Sequence, residues 1–211
     1  MRGNLARVLD VLEQKRELLE GDAVGMAEKL LAGKEKLLAK IDALTASVPE
    51  GAIKTRVHGD YHLGQVLIAE ADVVILDFEG EPARPLAERR ERNSALRDVA
   101  GMLRSFNYAR WTAFRAAVRG HEDDERLAPL ALEWETQVRR AFLAAYDEGT
   151  RDNEAMPALA AVRGLLELFE LEKALYELRY ELANRPGWAA IPLQGILALS
   201  GIRSPDDASA Q

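Results

Sequence analysis

The segment 58–65 reads HGDYHLGQ and, after a short apolar stretch, 77–82 reads DFEGEP. Asp60 and Asp77 are carboxylates on loops beside β-type segments, with the carboxamide of Gln65 between them. That set suits phosphoryl transfer. One carboxylate orients the attacking hydroxyl and takes its proton, while the amide and second carboxylate hold magnesium (Mg2+) against the phosphates. Hard oxygen donors match magnesium better than a soft metal. His58 and His62 lie four positions apart, as helical zinc ligands can, but Gly59 and the flanking strand signals argue against a helix and the Glu of HExxH is missing. Zinc is not expected. With no cysteine, disulfides, thiolate metal sites and cysteine nucleophiles are excluded.

The elements that must position these residues are mostly helical. Leu5, Val8, Leu9, Leu12 and Leu19 recur near helical spacing, and a second helical pattern runs over 26–44, interrupted before it by Gly21 and Asp22. Leading helices are thus expected over 1–48, ended by Pro49, Glu50 and Gly51. Ile53, Thr55 and Val57, then 66–68 and 73–76, read as short strands flanking the polar loop, with a turn at Ala71 and Asp72. Pro82 and Pro85 make 80–93 irregular. Helices are expected over 94–108, 111–119, 127–147, 157–184 and 192–200, with Pro157 and Pro192 in first turns, and 203–211 as a frayed tail. The expected fold class is α+β, mostly α-helical.

A second chemical patch lies in 173–188, KALYELRYELANRPGW. Tyr176 and Tyr180 fall one helical turn apart, with Glu177 and Glu181 beside them in the same register. Sugars lay apolar C–H faces on aromatic rings and give their hydroxyls to carboxylates, Asn and Arg. Tyr180, Glu181, Arg185 and Trp188 supply those types. The competing reading makes Tyr176 and Trp188 core residues and the glutamates a solvated face.

The chain's 211 residues, 48% hydrophobic, suffice for one sizeable core, so a single domain or lobe is expected. A formal net charge of −7 argues against broad attraction to nucleic acid or anionic lipid. No apolar run nears the roughly 20 residues of a membrane span, and the first residues lack the apolar region of a signal peptide. A cytoplasmic protein with neither nucleic-acid nor membrane partners is the expectation.

At HGDYHLGQ and DFEGEP the chain resembles the aminoglycoside phosphotransferase-like kinases, and among them it looks most like bacterial maltokinases. The closer likeness rests on Gln65 where Asn is commoner, on DFEGEP running into Arg84, Pro85 and Leu86, on SALRDVAGMLRSF over 94–106, and on 175–192. The resemblance implies Asp60 as catalytic base or hydroxyl-orienting group, Gln65 and Asp77 as magnesium ligands, His58 as a loop-framing histidine, His62 as one that frames the loop or approaches the phosphates, and Asp98 as a tie between its helix and the loop. An early-helix acid complementing the dipole is the simpler reading of Asp98. Glu79 and Glu81 would support the metal shell or meet the sugar, and Tyr176, Tyr180, Glu181, Arg185 and Trp188 would line the acceptor pocket. For Asp60 and Asp77 alone, turn-forming aspartates would be the better reading; the ordered set weighs against it.

The resemblance further implies ATP as donor, maltose as acceptor giving maltose 1-phosphate, and trehalose synthase as a fusion partner, with the chain the end of such a fusion. Glucosamine or an aminoglycoside is the alternative acceptor, and a non-catalytic sugar-binding or docking module the alternative class. No Gly-rich phosphate loop or ATP-contacting strand Lys precedes residue 58. Lys54 lies too close to the catalytic loop to be that Lys. The expectation is therefore a kinase-like C-terminal lobe over 1–211, with catalytic and metal loops at 53–82, an acceptor-binding helical part at 94–202 and the N-terminal nucleotide lobe absent, inactive alone.

Overall fold

A computed structural model describes residues 1–49, 53–70, 72–82, 84–117, 124–153 and 156–202. The expected frayed tail, 203–211, lies outside them. The chain divides into two compact units, Met1–Val48 with Glu167–Gln211, and Pro49–Leu166.

In the first unit, helices α1 (Arg2–Gln14), α2 (Asp22–Ala32) and α3 (Lys34–Ala46) are joined by the C-terminal helix α8 (Ala190–Ser200) and most of α7 (Arg163–Asn184). Their apolar stripes meet in one core: Leu5 and Leu12 of α1, Leu30 of α2, Leu37 of α3, Leu175 and Leu178 of α7 and Leu193 of α8 are all fully buried. Each such leucine contributes about 1.5–3 kcal/mol through burial. The expected single helix over 26–44 is two. Gly33 ends α2 and starts α3, and the Ile202 side chain occupies the space where a Cβ at Gly33 would sit. Helix α8 starts two residues before Pro192, which still falls within its first turn, where a missing N–H costs nothing.

The second unit is built on α5 (Leu96–Ala117) and α6 (Asp124–Thr150). Helix α5 buries Leu96, Val99, Leu103 and Phe106, and Phe106 meets Phe142 of α6 edge-on at 5.6 Å. Two separate helices were expected over 94–108 and 111–119. One runs through, because its buried face continues with polar side chains that break the apolar pattern: Asn107 and Arg110 are buried and both donate to Glu135 of α6. Positions 118 and 119 lie outside the described residues. The helix expected from 157 begins at Arg163, since Ala158 is extended and a 3-10 turn over Leu159–Val162 comes first.

The strand signals resolve into one antiparallel hairpin, β1 (Val66–Ala69) and β2 (Asp72–Ile75), paired Val66 with Ile75 through Ala69 with Asp72. Both strands are largely exposed, Ile68 at 84%. The residues 53–57 form no strand; Thr55 alone makes an isolated bridge to Asn93. The segment expected to be irregular holds a one-turn helix, α4 (Leu86–Arg89), entered from Pro85. Among the described residues no helix is long and apolar enough to cross a membrane.

Candidate phosphoryl-transfer loop and aromatic patch

The hairpin and α5 between them hold the catalytic-type loop. Asp98, in the first turn of α5, accepts from the backbone N–H of His58 at 2.7 Å and from that of Gly59 at 2.9 Å, one to each carboxylate oxygen. Burial raises the Asp98 pKa above the ordinary carboxylate value, opposed by those two backbone hydrogen bonds. One turn along, Gly101 lets the loop touch the helix: a Cβ there would lie 2.7 Å from the Tyr61 carbonyl oxygen. At the next turn Ser105 Oγ accepts from the Leu63 N–H at 3.0 Å. Asp98, Gly101 and Ser105 thus form one helical face that seats 58–63. Tyr61 and Tyr146 have raised pKa values, first through burial and then through the Asp98 charge.

His58 is buried and frames the loop from inside. Its Nε2–H donates to the Leu76 carbonyl at 2.6 Å, which leaves Nδ1 to accept from the Asp60 N–H at 3.3 Å. Its ring packs against Phe78 at 4.8 Å and Tyr61 at 5.5 Å. Both ring nitrogens are therefore committed to the loop. Gly59 and Gly80 carry positive φ, and a Cβ on Gly59 would come within 3.1 Å of the Gly80 Cα, so the two polar loops cross at paired glycines. His62 begins the 3-10 turn Leu63–Gln65, its Nδ1 accepting from the Gly64 N–H at 3.1 Å, and its Nε2 stands 3.9 Å from Asp60 Oδ2.

Gln65 and Asp77 leave the open end of the hairpin side by side. The Gln65 carbonyl accepts from the Leu76 N–H at 2.9 Å, and Gln65 Nε2 donates to Asp77 Oδ2 at 3.0 Å. Asp77 sits at φ 60°, a left-handed conformation uncommon for a residue with a side chain and frequent at functional positions. Among the described residues no three His, Cys, Asp or Glu side chains converge as in an all-protein metal cage. Magnesium binds differently, through one or two protein oxygens plus water and substrate phosphates. The Gln65 carboxamide oxygen and the Asp77 carboxylate fit that donor set.

The flanking glutamates have different surroundings. Glu79 is exposed, and its carbonyl faces Arg89 Nη1 at 3.4 Å. Glu81 is buried and paired with Arg84 at 2.8 Å, which braces the loop after Gly80.

In the other unit, α7 carries the aromatic patch. Glu181 is 1% exposed and takes both its oxygens to Arg185, from Nε at 2.9 Å and Nη2 at 2.7 Å. The same guanidinium lies over the Trp188 ring at 4.8 Å and the Tyr180 ring at 5.6 Å, while Lys173 lies over Tyr176 at 5.0 Å. Glu177 and Glu181 are both buried, so the reading of the glutamates as a solvated face is corrected, and Tyr176 and Trp188 are half-buried rather than core. The reason is the fork: a bidentate Arg offsets the cost of burying the Glu181 charge.

Gly101, Ser105 and Tyr146 received no role from the sequence reading. For the first two a signal exists, since 98, 101 and 105 share one face at helical spacing. Tyr146, on another helix, senses Asp98 only through its charge and leaves no such trace.

Comparison with known proteins agrees in kind. No protein-family model matches the chain. A glucosamine kinase of Streptacidiphilus jiangxiensis is 30% identical over 155 residues, 73% of this chain and 32% of that protein. A glucosamine kinase of Mycolicibacterium smegmatis is 32% identical over 145 residues, 67% of this chain and 33% of that protein. The chain thus spans about a third of the length of these relatives. The solved structure of a glucosamine kinase in complex with glucosamine, ADP and inorganic phosphate superposes with a TM-score of 0.71 at 25% identity, over 97% of this chain and 48% of that one. Another glucosamine kinase structure, crystal form A, gives 0.69, also at 25% identity, over 97% of this chain and 47% of that one. The chain has a sugar-kinase-like fold.

Proposed function

We propose that this chain is the part of an ATP-dependent sugar kinase that carries the phosphoryl-transfer loop and acceptor-recognition residues, and that its acceptor is glucosamine or a closely related amino sugar. The observation that carries the reading is the hydrogen-bonded pair Gln65–Asp77 beside the Asp60 loop, in a chain similar to glucosamine kinases. The acceptor moves from maltose, the expectation from the motifs, to an amino sugar because no relative reported above is a maltokinase.

In the proposed reaction an acceptor hydroxyl oxygen attacks the terminal phosphorus of ATP, the bond from that phosphorus to the ADP oxygen breaks, and the hydroxyl proton passes to Asp60. Magnesium, when bound, neutralises phosphate charge as transfer proceeds. Gln65 and Asp77 would hold it. His58 fixes the loop by donating to Leu76 and accepting from the Asp60 N–H, and Asp98 anchors the backbone just before Asp60. Tyr180 and Trp188, held by Arg185, would offer flat surfaces to a pyranose ring.

The test is a coupled ADP-release assay on the polypeptide that contains this chain, with glucosamine, maltose, glucose, N-acetylglucosamine and an aminoglycoside. Transfer to glucosamine at a kcat/KM at least tenfold above maltose is expected. Preference for maltose would restore the earlier acceptor, and magnesium-dependent transfer to none of them would overturn the kinase reading.

A further inference from the structure

A cavity of about 640 Å³ lies on the second unit, and four of its lining side chains are arginines: Arg56, Arg89, Arg90 and Arg92. Two carboxylates, Glu79 and Glu91, share the wall. Four guanidinium groups against two carboxylates leave two positive charges in excess, on a chain whose formal net charge is −7. The local sign is therefore opposite to that of the molecule.

Arg89 carries the second observation. Its Nε is buried without a hydrogen-bond partner, and its Nη1 meets the Glu79 carbonyl only at 3.4 Å. A buried donor without a partner is rare in folded proteins, so the Arg89 guanidinium is not held in place by neighbouring acceptors as a structural arginine would be. Guanidinium forks match phosphate oxygens in pairs, which a point charge cannot do. The volume falls within the range of about 300–1,000 Å³ usual for small-molecule sites. A long polyanion such as nucleic acid is disfavoured by the overall negative charge.

The cavity lies beside the transfer loops and shares Glu79 with them. None of Asp60, Gln65 or Asp77 lines it, although Val57 and Phe78 in its wall adjoin His58 and Asp77 in sequence. We propose that this arginine-lined cavity binds a small phosphate-bearing anion, at a site separate from the one that holds the phosphates undergoing transfer. The proposal does not depend on which sugar the kinase uses.

Calorimetric titration of the polypeptide that contains this chain with glucose 6-phosphate and with inorganic pyrophosphate tests it, without divalent metal and at fixed ionic strength. One-to-one saturable binding of at least one probe is expected. Tighter binding of glucose 6-phosphate would identify a phosphorylated sugar as the ligand, and tighter binding of pyrophosphate a bare phosphate group. The doubly substituted R90Q/R92Q chain, altered at two exposed positions, should bind at least tenfold more weakly, and R56Q should bind more weakly too. Asp77→Asn should bind within twofold of the unaltered chain. No saturable binding, undiminished binding by both arginine variants, or loss of binding in Asp77→Asn would each overturn the proposal.

Discussion

Asp98→Ala removes both acceptors that fix the backbone of His58 and Gly59. The Gly59 N–H belongs to an exposed residue and regains water, whereas the His58 residue is 5% exposed and its N–H loses a charge-assisted bond of 2.7 Å. A hydrogen bond to a charged group is worth about 1.5–3 kcal/mol, and a buried donor left bare costs about 1–3 kcal/mol. Against this, removing a carboxylate whose pKa burial has raised relieves its desolvation penalty. The net local loss is therefore set near the lower bound, about 2 kcal/mol, which is roughly thirtyfold at 1.4 kcal/mol per decade. Native-state hydrogen exchange reads it directly: the His58 amide in Asp98→Ala should exchange about thirtyfold faster, at unchanged rates for the first-unit amides of α1 and α8. Exchange at His58 within threefold of the unaltered chain would refute the claim that Asp98 holds the loop.

Other outcomes follow from the same geometry. Because burial raises the folded-state pKa of Asp98, the part of the stability linked to its proton is complete below the ordinary carboxylate value and is lost as pH rises through the raised one, while the hydrogen bonds to His58 and Gly59 remain. Urea unfolding at a series of pH values should accordingly show the unaltered chain losing stability relative to Asp98→Asn across the window just above the usual carboxylate range; a difference flat with pH would contradict this. Gly101→Ala should destabilise by about 1–3 kcal/mol through overpacking against the Tyr61 carbonyl, despite the roughly 1 kcal/mol that Ala gains over Gly in a helix; thermal unfolding showing a net gain would place the loop elsewhere. In the polypeptide that contains this chain, Asp60→Asn should lower kcat by about 10²–10⁴ with little change in KM, and turnover close to normal would remove Asp60 from proton transfer. Trp188→Ala should chiefly raise the sugar KM, read in the same kinetic assay; an unchanged KM would argue against stacking there.

How far the sequence speaks depends on what each residue must do. Side chains that act through type and order are legible: HGDYHLGQ and DFEGEP mark the loop, and Gln65 and Asp77 are found hydrogen-bonded across the hairpin mouth. Leading helices also declare themselves, since Leu5, Val8, Leu9 and Leu12 repeat on one stripe and are all buried. What fails is legibility of polar burial. Asn107 and Arg110 look like a helix boundary because they interrupt an apolar face, yet they are buried against Glu135. Glu181 reads either as a sugar contact or as part of a solvated face, and its burial shows only when Arg185, four positions on, is seen to fork onto it. Gly101 carries no chemistry of its own; its spacing from Asp98 and Ser105 marks the face, and the reason for a glycine there appears once the Tyr61 carbonyl is placed against it.

The hairpin has a thermodynamic corollary. A two-stranded ribbon with largely exposed strands is marginally stable by itself, and here its open end carries the two side chains, Gln65 and Asp77, that would share a cation. Any ion bridging them also clamps β1 to β2, so part of its binding free energy is spent on pairing the strands. Linkage makes that exchange reciprocal. Residues of the ribbon that never approach the ion, such as Ile68 with most of its surface in water, then become determinants of its affinity, because whatever favours the paired ribbon raises the fraction of molecules competent to bind.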